Sequence, residues 1–300
     1  MAENKRLYGS IVALVTPFDQ NGELDLSALD KLIEFHVNNG TSAILLAGTT
    51  GEGPNITDDE LRTILLRARS RVGEEFTLIA GSGTNSTSTT LKRTIIAQES
   101  GADFALIVGP YYNKPTQEGF YQHFKAISEG VDIPIIIYNV PGRTGSNIMP
   151  ETVARLAEEP GIVAIKEASG DLEQIKEVLS IMPSGKVVLS GDDALTLPII
   201  AMGGTGVISV VANEAPRETA DMVQFAADGK IEEARRLHDK LSPLMEVNFI
   251  ESNPIPVKYA LSKMGLISEV YRLPMVQLEE KNKKKIDEIL LSTGIVNEND

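Results

Sequence analysis

The chain has 300 residues, 42% of them hydrophobic, enough for one large α/β domain or two smaller ones. Its net charge of −14 argues against non-specific binding to nucleic acid or anionic membrane, and the lack of cysteine excludes disulfides and thiol chemistry. Three scattered histidines (His36, His123, His238) argue against zinc, MAENKRLYGS has no apolar signal core, and no apolar run approaches a membrane span, so the expectation is a soluble cytoplasmic protein.

In chain order, the spacing predicts strands at Ile11–Phe18, Ser42–Ala47, Phe76–Ala80, Phe104–Val108, Ile133–Val140, Ile162–Ala168, Lys186–Ser190 and Val207–Val211. Each is a nearly continuous apolar run, as expected of a strand covered on both faces in a parallel sheet. Helical spacing fills the gaps: Leu26–Asn38, Asp58–Val72, Ser86–Glu99, Gln117–Glu129, Pro150–Glu158, Asp171–Ile181, Ala194–Met202 and Pro216–Ala227. Thr57 before Asp58-Asp59-Glu60 and Met149-Pro150-Glu151 read as helix starts.

Eight strands alternating with eight helices predict an α/β fold, a (β/α)8 TIM barrel, over residues 1–228. A doubly wound open sheet is the rival, but no dinucleotide fingerprint follows the first strand. Residues 229–300 are predicted to form a C-terminal helical extension packed on the barrel or on a neighbouring subunit. It holds an NPIP turn at Asn253–Pro256 and a basic run at Lys281–Lys285, read as a solvated helix face.

Barrel enzymes place their chemistry at the C-terminal ends of the strands. Lys166 ends the apolar run of GIVAIKEASG. Strand alternation puts Ile162, Ala164 and Lys166 on one face and Val163, Ile165 and Glu167 on the other. If the first face is interior, a dry site lowers the lysine pKa and frees an amine to attack a carbonyl. The alternative is a lysine that snorkels to the rim or pairs with a carboxylate. Tyr138 ends the neighbouring strand and could relay protons to that lysine, or be a rim tyrosine with a satisfied hydroxyl. Arg143, in the following Pro-Gly loop, could clamp a substrate carboxylate, or be an exposed or interface arginine. GTTGEG (Gly48–Gly53) suits a small anion, or is a tight strand-to-helix turn. GGTG before the eighth strand has no basic residue nearby to make it a phosphate cradle. Asp192-Asp193 has no evident third ligand for a metal, and helix capping is the better reading.

The set GTTGE, GPYYNKPTQEGFYQHF, YNVPGRTG, IKEASGD, LSGDD and GVISV resembles the dihydrodipicolinate synthase / N-acetylneuraminate lyase family of pyruvate-dependent class I aldolases, over nearly the whole chain. The resemblance implies a Schiff base between Lys166 and pyruvate, proton shuttling by Tyr138, and Thr49 linking Tyr138 to a second tyrosine, Tyr112. In the family that second tyrosine crosses a subunit interface, which implies an oligomer, commonly a dimer of dimers. Thr50 resembles the residue binding the pyruvate carboxylate, and Arg143 the arginine holding the second substrate's carboxylate. Gly191 and Ile208 match positions around the bound keto acid. The R-T-G pattern after Y-N-x-P resembles the synthase branch, which condenses pyruvate with aspartate semialdehyde. A lyase of a 2-keto-3-deoxy sugar acid or N-acetylneuraminate, and a non-catalytic keto-acid binder, are the alternatives. No metal or organic cofactor is implied. Lysine-sensitive relatives carry Ser, His and Glu where this chain has Gly53, Asp58 and Thr89, while Asn85 and Tyr111 fit their pattern. Weak or absent lysine feedback is therefore expected.

Overall fold

The computed structural model describes residues 7–297. Eight strands form a closed parallel barrel in chain order: β1 (Gly9–Ala13), β2 (Ala43–Leu46), β3 (Thr77–Gly81), β4 (Phe104–Val108), β5 (Ile135–Asn139), β6 (Ile162–Glu167), β7 (Val187–Ser190) and β8 (Gly206–Ser209). Pairing of β8 with β1, Ile208 opposite Ile11, closes the ring. The barrel helices are α1 (Leu26–Asn38), α2 (Asp58–Val72), α3 (Thr87–Glu99), α4 (Gln117–Ser128), the single turn α5 (Pro141–Thr144), α6 (Pro150–Ala157), α7 (Leu172–Ile181), α8 (Thr196–Ala201) and α9 (Pro216–Ala227). The extension supplies α10 (Ile231–Val247), α11 (Ile255–Lys263) and α12 (Glu280–Thr293), and its last three residues lie outside the described ones.

The strands read as unbroken apolar runs because both of their faces are buried. Ile11, Leu45, Ile79, Leu106, Ile136 and Ala164 fill the barrel interior. Their sequence neighbours, such as Val12, Ile44 and Leu78, pack outward against Leu29, Leu61 and Leu65 of the helices. The α2 start behaves as its sequence predicts. Thr57 accepts the Glu60 N–H, and the Glu60 carboxylate accepts the Thr57 N–H, a reciprocal capping box.

Five local expectations are corrected. The first strand ends at Ala13 rather than Phe18. Beyond it the Val15 N–H bonds the Asn213 side chain, the Thr16 hydroxyl bonds Gly51 O, and Pro17 has no N–H to offer a ladder. A bulge at Val163, where Ile135 faces Ile162 but Ile136 faces Ala164, turns Ile162 outward into the helix-facing cluster. Ala164 and Lys166 keep the interior face that the alternation predicts. The eighth strand stops at Ser209 because the Asp193 carboxylate takes the Val210 and Val211 N–H groups, each at 2.9 Å. Asp193 therefore caps that turn and not α8, which has no side-chain cap. The basic run is not uniformly solvated either: Lys283 pairs with Glu269 and Glu280 and lies 5.5 Å from the Tyr259 ring centroid.

The extension shares one apolar core with the barrel. Val207 and Met222 pack with Leu241, Leu244, Tyr259 and Ile286. Asn248 donates to the buried Glu214 carboxylate at 2.7 Å, tying the end of α10 to the loop after β8. Among the described residues, no helix is long and apolar enough to cross a membrane, and no group of His, Asp and Glu is arranged to hold a metal ion.

Candidate active site

Lys166 lies near the C-terminal end of β6, 5% exposed, inside the mouth of the barrel. Among the described residues it has no ion-pair partner, so neither the snorkelling nor the paired alternative describes it. The β5–β6 register sets it directly opposite Tyr138, and its Nζ is 4.4 Å from the Tyr138 ring centroid. Burial lowers the ammonium pKa to about 8. Asp193 and Asp192 oppose that shift, and Arg143 adds to it. Space for the side chain comes from Gly191, where a Cβ would sit 2.6 Å from the Ala168 Cβ and 3.0 Å from the Lys166 Cε. Gly191 thus has a steric task that any other residue would defeat.

Tyr138 is buried, and burial raises its phenol pKa against the pull of Arg143 and of a hydrogen bond with Thr49. Thr49 is held by the GTTGEG turn after β2. That turn is compact because Gly53 has no side chain: a Cβ there would meet Ala47 O at 2.2 Å. Ala47 and Glu52 both take left-handed φ of 53° to make the bend. Thr50 follows Thr49 and is 2% exposed.

A cavity of about 140 Å³ is bordered by Lys166, Tyr138, Thr49, Thr50, Gly191 and Arg143. A second cavity of about 520 Å³ shares Thr49, Tyr138 and Arg143 with it and extends past Asn85, Thr89 and Tyr111. The lysine therefore sits in a small inner chamber under a wider vestibule, with Tyr138, Thr49 and Arg143 at the junction. Arg143, on α5, is exposed and has no carboxylate partner among the described residues.

Two predicted residues do not join this group within one chain. Tyr112 is 88% exposed and takes φ of 72°, unusual for a tyrosine, while its neighbour Tyr111 lines the vestibule. Ile208 packs in the barrel interior, and Val210 forms the chamber wall on that side. GGTG also lies apart, since Gly206 starts β8 opposite Gly9 at the start of β1, the end of the barrel away from the mouth. Residues that sequence reasoning missed include Asn253 and Phe249, which line the inner chamber from the extension. The NPIP motif marks the position of Asn253, but a turn signal carries no information about a contact 203 positions away. Nothing in the sequence singles out Phe249.

The chain matches the model of the "Dihydrodipicolinate synthetase family" over residues 6–293. It is 49% identical over 294 residues to the 4-hydroxy-tetrahydrodipicolinate synthase of Prosthecochloris aestuarii, covering 98% of this chain and 99% of that one. Among solved structures, dihydrodipicolinate synthase from Aquifex aeolicus is similar at 46% identity and a TM-score of 0.95, over 97% of this chain and 100% of that one. A chloride-inhibited dihydrodipicolinate synthase from Acinetobacter baumannii, complexed with pyruvate, is similar at 42% identity and a TM-score of 0.95, again over 97% and 100%. These matches run over nearly the whole chain, and the chain belongs to the dihydrodipicolinate synthetase family.

Proposed function

We propose that this protein condenses pyruvate with L-aspartate 4-semialdehyde to 4-hydroxy-tetrahydrodipicolinate, through an imine on Lys166. The observation that carries the reading is a buried amine, without an ion-pair partner among the described residues, facing Tyr138 in a chamber large enough for a three-carbon keto acid. Its lowered pKa leaves about a tenth of the amine unprotonated at pH 7. The amine adds to the pyruvate ketone and water leaves, giving the imine. Loss of a methyl proton gives an enamine, and the imine nitrogen is the electron sink, so the chemistry needs no organic cofactor. The enamine carbon attacks the aldehyde carbon, whose oxygen gains a proton through Tyr138 and Thr49. The amino group of the second substrate then adds to the imine carbon, expels the lysine amine and closes the ring. Thr50 holds the pyruvate carboxylate, and Gly191 leaves room for the lysine to swing. The test is pyruvate consumption by purified protein with and without the aldehyde. Consumption that requires the aldehyde supports the reading, and splitting of a 2-keto-3-deoxy sugar acid in its place overturns it.

Arg143 borders both cavities, and its guanidinium has no carboxylate partner among the described residues, as a clamp for the aldehyde's carboxylate requires. Arg143→Ala is expected to lower kcat/KM for the aldehyde by about 100-fold, the scale of a lost charge-assisted pair, while imine formation with pyruvate changes little. Equal losses in both steps, measured by steady-state kinetics and by imine trapping, contradict the clamp.

The vestibule lining includes Arg93 and Arg143 but no carboxylate. Asp58, at one of the positions that distinguish lysine-sensitive relatives, is engaged by Lys92 at 2.6 Å and Arg93 at 3.3 Å. A lysine ammonium would find no free anion there. Inhibition by lysine is expected to stay below half at 1–10 mM, roughly the millimolar regime of weak contacts. Half-inhibition at sub-millimolar lysine contradicts this.

Tyr112 completes the proton relay, in this reading, from a neighbouring subunit, within a dimer of dimers. Its exposed ring and left-handed backbone suit a residue shaped for a site outside its own chain. Sedimentation showing a fully active monomer removes the shared site.

A further inference from the structure

Thr50 is buried at the chamber wall, and its hydroxyl has a partner from the far end of the chain. The Asn253 side-chain amide donates to Thr50 Oγ1 at 2.9 Å, across 203 positions of sequence. Both residues border the inner chamber, and both are at least nine-tenths buried. Asn253 Oδ1 is buried with no hydrogen-bond partner. The opposite orientation of the amide would leave its N–H groups unpaired instead, and an orphaned N–H is the rarer, costlier case. A hydroxyl that accepts from Asn253 keeps its own proton for a different acceptor.

The geometry holding this pair is equally specific. Two residues beyond Thr50, Glu52 receives the Lys258 ammonium at 2.6 Å, with the two side chains 1% and 0% exposed. Lys258 stands on α11, which begins directly after Asn253-Pro254. The same helix therefore grips the GTTGEG turn at Glu52 and presents the amide to Thr50. Barrel and extension are thus joined at the GTTGEG turn, which supplies Thr50 to the chamber wall.

We infer that Asn253 is a positioning residue for the keto-acid carboxylate: by donating to Thr50 Oγ1 it commits the Thr50 hydroxyl to donate into the chamber. This rests on the proposed pyruvate chemistry. In water-excluded surroundings a hydroxyl committed as a donor binds an anion without first reorienting. Asn253 acts through Thr50 and need not touch the reacting atoms.

The experiment measures pyruvate KM and kcat for wild type, Asn253→Ala, Asn253→Asp, Thr50→Val and the Asn253→Ala/Thr50→Val double variant. Each alanine or valine change is expected to raise pyruvate KM about tenfold, the scale of a lost hydrogen bond to a charged group. The double variant should be no worse than Thr50→Val alone, because the amide then has no hydroxyl to orient. Asn253→Asp keeps the side-chain size, so it carries the test if the alanine variant does not fold. Its carboxylate accepts a hydrogen bond from the Thr50 hydroxyl and turns it away from the chamber, so KM should rise beyond that of Asn253→Ala. KM effects that multiply in the double variant, or a loss confined to kcat, overturn the inference. Wild-type protein that consumes no pyruvate overturns the proposed function instead, so the two failures are distinguishable.

Discussion

Lys166→Ala is expected to lower pyruvate turnover by on the order of 10⁴-fold or more, the scale on which loss of a covalent nucleophile acts, with the fold retained. Among the described residues lining the inner chamber, the Lys166 amine alone can form the imine, and Tyr138 and Thr49 can only move protons around it. A variant with activity near wild type removes Lys166 from its role. The same lysine sets the pH dependence. With its pKa lowered to about 8, the free amine grows about tenfold per pH unit up to that value and then levels off. Imine formation at sub-saturating pyruvate should follow that curve. Linkage gives the accompanying stability effect. In the unfolded chain the lysine titrates near 10.5, so between about 8 and 10.5 the unfolded state binds more protons and stability rises with pH. Below about 8 the folded protein carries the full cost of a buried ammonium. Lys166→Met, which keeps bulk and drops charge, should therefore melt above wild type at pH 7, and the gap should close as pH rises through that window. A variant that melts lower at pH 7 contradicts the assignment of this lysine as strained for function.

Lys258→Met should cost about 3–5 kcal/mol of stability, because it strands the buried Glu52 carboxylate without its paired ammonium. Lys258 is wholly buried, its ammonium lying 4.4 Å from the Phe18 ring centroid and 5.4 Å from that of Tyr271. Burial pulls its pKa down, against the opposing pull of Glu52. The weak contacts of Glu52 Oε2 with Asn55 and the Arg272 N–H, both at 3.4 Å, do not replace an ion. Adding Glu52→Leu to Lys258→Met removes the stranded charge, so the double variant should regain more than half of the lost stability in urea unfolding. Its catalytic turn would still lack the anchor, and pyruvate KM should stay raised. A single variant that loses less than about 1 kcal/mol, the range of an exposed pair, contradicts the account.

The barrel was legible because each strand is an apolar run between helical segments, a pattern that parallel closure imposes. Lys166 and Tyr138 were legible for a related reason: alternation carries the interior face of Ala164 on to Lys166, and adjacent strands bring their ends together. Sequence periodicity could not register the bulge at Val163, since one extra residue leaves composition unchanged while turning Ile162 to the other face. Nor could it end β8, whose last N–H groups are claimed by Asp193 from a different loop. The contacts of Asn253 and Lys258 with the GTTGEG turn span more than 200 positions and follow no local rule. Those long-range polar contacts, rather than the barrel itself, are what folding adds to the site. Tyr112 stands between the two cases: its motif is plain in the sequence, yet a single chain leaves it outside the chamber.

The central claim is tested most directly by incubating the protein with pyruvate, reducing with borohydride and mapping the adduct by mass spectrometry. One pyruvate-derived adduct per chain is expected on the peptide holding Lys166, absent in Lys166→Ala and formed faster at pH 8 than at pH 6. No adduct, or one on another lysine with Lys166 unmodified, contradicts it.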